Sequence, residues 1–230
     1  MSDFLSTLWA VMEKDLRMEW RARESLIVML VFALLVLTLF SFAFGPGQGG
    51  GGEEAAAVQA GILWVAFLFA SVVGLSRSMG AERESRGLSA MRLSPADPSA
   101  VFLGKMLAAL ATMAVMEVAG FTALAVLYRA PVARAAGGLA LVAGAATVGI
   151  SGVGSLFAAM SVRTRTRDAL LPIHLFPILV PVLIAAVKAT AALLGGSGWA
   201  GAADWVKLIV VYDLIFVVAS AVLFEYVIEE

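Results

Sequence analysis

The chain contains no cysteine and a single histidine, His174. Without thiols there is no disulfide framework, no thiolate nucleophile and no cysteine-held metal. Also missing are a GxxxxGK[ST] phosphate loop, an HExxH zinc motif and any nucleophile with a base at a diagnostic spacing. The sequence therefore carries no enzyme machinery, and if energy is consumed a separate subunit must hydrolyse the nucleotide. The glycine run at 49–52 does not change this, because no strand precedes it and no Lys-Ser/Thr pair follows it. Charge is scarce as well: Asp, Glu, Lys and Arg make up 14% of the residues, with a formal net charge of −1. No basic stripe with interleaved aromatics appears, so nucleic acid is not an expected partner. Asp3, Glu13, Lys14, Asp15 and Arg17 come before any long apolar run, which argues against a cleavable signal peptide and for a first span retained as an anchor.

What is abundant is apolar surface. Hydrophobic residues are 61% of the 230, and the mean hydropathy is +0.96. No soluble core of this length could bury so much apolar surface, so the chain is read as an all-α membrane protein. Residues 3–20 place Leu5, Leu8, Trp9, Met12, Leu16 and Trp20 on one helical face, an interfacial amphipathic helix with two Trp at headgroup depth. Crossing the hydrocarbon takes about 20 apolar residues, and six runs qualify, at about 25–44, 55–76, 99–128, 132–161, 169–194 and 205–228. The whole chain is then one permease-like domain. In the fourth span Ser151 with Ser155, and Ala145 with Gly149, stand at small-xxx-small spacing, which lets helix backbones approach closely. The fifth span holds Pro172, Pro177 and Pro181, so it is expected to kink or unwind locally.

Between the second and third spans lies the one long charged interval, 77–98. Glu82, Arg83, Glu84 and Arg86 read as a solvated turn. Leu88, Met91 and Arg92 follow at helical spacing, and Pro95 and Pro98 then stop and re-aim the chain. Asp97 or Ser99 is placed to cap the next helix. The interval reads as a coupling loop, with Leu88 and Met91 as apolar anchors and Glu82, Arg83, Arg86, Arg92 and Pro95 around them. Three polar groups fall inside spans, where they are functional or paired by default. Glu117 faces either the bundle interior or hydrated outer-leaflet depth. His174 reads as a hydrogen-bonded packing residue ahead of a haem ligand or proton relay, and Asp213 as an interhelix hydrogen-bonding group.

Twelve basic residues fall on one side of this topology: Lys14, Arg17, Arg21, Arg23, Arg77, Arg83, Arg86, Arg92, Lys105, Arg163, Arg165 and Arg167. Four, Arg129, Arg134, Lys188 and Lys207, fall on the other. That bias places both termini and the charged loop in the cytoplasm.

The runs GILWVAFLFASVVGLSRSM (61–79), ERESRGLSAMRLSPADPSAVFLGK (82–105), SVRTRTRDALLPIHLFPILVPVLIAA (161–186) and YDLIFVVASAVLFEYVIEE (212–230) resemble the haem exporter protein B family. The resemblance extends over essentially the whole chain. It implies an ABC-2-type, six-span permease of the bacterial inner membrane acting in cytochrome c maturation. It also implies a homodimer with two copies of an ATP-binding subunit, a haem-handling membrane protein and a small single-span subunit as partners. Haem is implied as a handled ligand, with no residue fixed as its ligand and no resident cofactor. On this likeness the ATPase-contacting loop falls on 82–95. Two other readings share parts of the pattern: a generic ABC-2-type exporter of lipid, drug or polysaccharide, and a non-transporting membrane scaffold, which would need neither Glu117 nor a proline-broken span.

Overall fold

In the computed structural model the backbone is described for residues 2–44, 52–84, 97–161 and 167–229, and side chains for 3–44, 52–78, 97–161 and 175–227. The described residues form seven α-helices and no strand. They are α1 (Ser2–Ala22), α2 (Glu24–Phe44), α3 (Glu53–Glu84), α4 (Pro98–Leu127), α5 (Ala136–Ser161), α6 (Arg167–Gly195) and α7 (Gly198–Glu229). A 3-10 turn, Val132–Ala135, leads into α5. Six segments are long and apolar enough to cross a membrane, one each in α2 to α4 and α6 to α7, and one joining the 3-10 turn to α5. The chain is an all-α, multi-pass membrane protein.

Helices that are apolar nearly all round choose their buried face by shape rather than by polarity. α5 sits centrally, packed on α4, α6 and α7, while α3 lies between α2 and α6. Its buried residues are mostly small: Ala143, Ala146, Gly149, Ser151, Gly152, Gly154, Ser155, Ala158 and Ala159. Large residues from the neighbours fill the space so released. A Cβ on Gly154 would collide with the Leu75 side chain of α3, and one on Gly120 of α4 with the ring of Phe67. Phe67 in turn meets Trp64 and Phe121 edge-on, each with centroids 5.7 Å apart. Two long-range side-chain hydrogen bonds tie these helices together. Trp64 Nε1 donates to Thr190 Oγ1 at 2.9 Å, and the Tyr128 hydroxyl donates to the Leu37 carbonyl at 2.8 Å.

Several boundaries differ from those expected of the sequence. α3 continues to Glu84, so Glu82, Arg83 and Glu84 form its last turn instead of a solvated turn. Nothing between Ser76 and Glu84 breaks a helix except Gly80, and a lone glycine costs only about 1 kcal/mol. α7 begins at Gly198, several residues ahead of the expected 205, because the left-handed φ of Gly196 (97°) and Gly198 (63°) turns the chain within a few residues. α6 stays helical through Pro172, Pro177 and Pro181, so the local unwinding that the prolines allowed does not occur. Each proline removes one helical donor, but α6 is walled by α3, α5 and α7. Leu175, Leu179, Val182, Ala185 and Ala186 are all fully buried there. The Tyr212 hydroxyl of α7 donates to the Ile178 carbonyl at 3.1 Å, beside the Pro177 carbonyl that Pro181 leaves without its helical donor.

Candidate functional site

The six-span arrangement brings the first turn of α2, the last turns of α3, α5 and α7 and the first turns of α4 and α6 to the membrane face that also carries α1. The charged interval bridges α3 and α4 at this face. Glu82 and Arg83 belong to the helical end of α3. Arg86, Leu88, Met91, Arg92 and Pro95 lie outside the described residues. The interval's far end is built as its chemistry dictates: Asp97 Oδ1 accepts the Ser99 N–H at 2.8 Å, and Pro98 takes the first helical position of α4. A cap of this kind is worth about 1 kcal/mol, and it fixes where the bridge becomes a rigid span.

Half-way along the spans two carboxyl groups flank α5. Glu117 of α4 is 6% exposed, and Thr147 of α5 donates a hydrogen bond to its Oε1. Asp213 of α7 is half-buried and lies against the bare backbone of Gly149, where a Cβ would meet its Oδ1 and the Tyr212 ring. That oxygen has no hydrogen-bond partner among the described residues. Thr147 and Gly149 are two residues apart on one helix, so their side-chain directions are about 200° apart. The two acids therefore grip opposite faces of α5 at nearly one depth. Glu117 is directed at α5 through its bond with Thr147. His174 lies in α6, but its side chain is outside those described.

A third polar site escaped the sequence reading, which counted Lys105 with the loop charges. Lys105 lies two turns inside α4 and is 4% exposed, with its Nζ 3.3 Å from Asp15 Oδ2 of α1. Lys14 Nζ stands 2.9 Å from the other oxygen of Asp15. One turn on, Glu19 accepts the Leu26 N–H at 2.8 Å and so satisfies an orphan donor at the start of α2. Asp15, Glu19, Lys105, Ser78, Thr112 and Ser155 border a cavity of about 40 Å³, roomy enough for water. α1 is thus more than a float at the interface. The Leu8 carbonyl and the Val11 side chain press on Gly104, where a Cβ would lie 2.7 Å from the oxygen. The signal in the sequence was a lysine inside a predicted span. Its partner stands 90 residues earlier, which no local pattern links.

Among the described residues no group of His, Asp and Glu could hold a metal ion. The arrangement offers a central helix with a buried, hydrogen-bonded acid on one face and a half-buried one on the other, and an α1 ion-paired to the span that follows the charged interval. Among curated proteins none matches the chain. The family model described as CcmB protein matches residues 6–227, nearly the full length. The chain belongs to the CcmB protein family, that of haem exporter protein B.

Proposed function

We propose that the chain is the membrane permease subunit of an ABC transporter complex for haem export or delivery in cytochrome c maturation, converting ATP hydrolysis by a separate subunit into helix movement. Family membership over residues 6–227 supports this reading. So do six spans without a nucleotide-binding motif of their own. The observation that carries the coupling step is the way interval 85–96 is anchored. It leaves a helix continuous with the α3 span and re-enters through the capped start of α4. A push transmitted along it would reach two core helices, because its ends join them directly.

In the full assembly two copies of this chain pair with two copies of the ATP-binding subunit, in the bacterial inner membrane, with both termini cytoplasmic. The haem-handling membrane protein and the small single-span subunit complete it. Leu88 and Met91 seat in a groove of the ATPase. Glu82, Arg83, Arg86 and Arg92 form a charged rim that sets orientation more than affinity, and Pro95 stiffens the exit. The double substitution Leu88→Asp, Met91→Asp places unpaired charge in that contact and leaves every span intact. Membrane insertion should be normal, while ATPase co-purification and cytochrome c maturation are lost. Retention of the ATPase at wild-type stoichiometry would place the coupling surface elsewhere.

A further inference from the structure

Between α1, the start of α2 and the middle of α4 runs a laterally open groove of about 700 Å³, within the size range of small-molecule sites. Its floor is apolar and small, from Ala111, Thr112 and Val115 of α4. Its outer wall carries Trp9 and Trp20, which are 61% and 65% exposed, together with Leu16. Arg17 and Arg21 stand on the same wall. α1 lies at the membrane face bearing its own terminus, so the groove opens into the bilayer at headgroup depth, and what enters it there is lipid.

We infer that this groove is a binding site for an anionic phospholipid of that leaflet, its acyl chain along α4 between the two Trp and its phosphate at Arg21. α1 as a whole is not basic, since Asp3, Glu13, Asp15 and Glu19 outnumber its Lys14, Arg17 and Arg21. Placement makes the difference. Two acids, Glu13 and Glu19, line the groove as well: Glu13 is paired with Arg17 at 2.6 Å, Asp15 with Lys105, and Glu19, still charged, is turned to the Leu26 N–H at the N-terminus of α2, where the helix dipole favours it. Arg21 is left at the mouth of the groove, in the last turn of α1, with no ion pair to any described residue. Tryptophan edges at interface depth and a guanidinium beside them suit a headgroup phosphate, which takes two parallel N–H bonds from arginine. A basic residue near the membrane surface favours anionic over zwitterionic lipid about fivefold.

The full chain, carrying Trp199→Phe and Trp205→Phe, is reconstituted in vesicles of phosphatidylcholine and phosphatidylglycerol with one or the other brominated. Trp64 is 1% exposed and out of reach, so quenching reports Trp9 and Trp20. Brominated phosphatidylglycerol should quench with an apparent affinity about fivefold above that of brominated phosphatidylcholine. Arg21→Gln should bring the ratio near one without lowering the melting temperature. Equal quenching by the two lipids, or a preference that survives Arg21→Gln, overturns the assignment. So does loss of quenching when the assembled transporter replaces the isolated chain, since a protein partner would then be the occupant.

Discussion

Glu117 shows what a single polar atom can do inside a span. Its Oε1 takes the Thr147 hydroxyl, and the residue is 6% exposed at the edge of a groove between α4 and α5. A carboxyl group held this way can serve structure, through the hydrogen bond, or function, through its charge, and the two are separable. Glu117→Gln keeps an acceptor for Thr147 and removes the charge. The variant should assemble and melt within about 1 kcal/mol of wild type, while cytochrome c maturation slows. A normal maturation rate would show that the charge is dispensable. Thr147→Val makes the complementary change. It leaves the buried carboxyl without its donor and should lower stability by about 1–3 kcal/mol.

At the scale of the element, α1 illustrates how much local pattern conveys. Its amphipathic spacing and its two Trp identify a helix at the interface, and both Trp are indeed exposed. What periodicity does not convey is that the polar side of α1 has a protein partner, because Asp15 and Lys105 meet only after two spans have intervened. The same holds for α6, where prolines at 172, 177 and 181 allow local unwinding and the helix, packed against three neighbours, stays wound. The six spans and the Asp97 cap were legible because they depend on composition and on residues a few positions apart. Helix pairing was not, because each span is apolar on every side. Breaking a buried ion pair from one side costs about 3–5 kcal/mol, whereas replacing both partners with apolar residues is often neutral. Asp15→Leu alone and Lys105→Met alone should therefore melt well below wild type, and the double variant should recover most of the loss. Glycines at the helix contacts sort by what faces them. Gly104→Ala meets the Leu8 carbonyl and should detach α1, visible as new protease cleavage ahead of Glu24. Gly74→Ala meets only the flexible end of Met29 and should be tolerated.

For the whole molecule, an odd number of crossings separates the α2–α3 connection from the α3–α4 interval, and the balance of basic residues orients the set. Cysteine is absent from the chain, so single cysteines introduced at Ser94 and Ser197 give a clean test. An impermeant maleimide applied to intact cells, with the outer membrane permeabilised, should label Ser197→Cys and spare Ser94→Cys. The reverse pattern would invert the topology and the proposed coupling with it.

The position of α5 also has a consequence for biosynthesis. Its span is the least apolar of the six and the most enclosed, with 72% of it buried against 17% for α2. Two of its main packing partners, α6 and α7, follow it in the chain. While the ribosome is still translating them, the face of α5 that carries Gly149 and will meet α7 is turned to lipid. The central column is therefore complete only once α7 has been made. A chain that stops within the last helix loses one wall of its central column, and membrane quality control should clear such a product faster than one lacking α1.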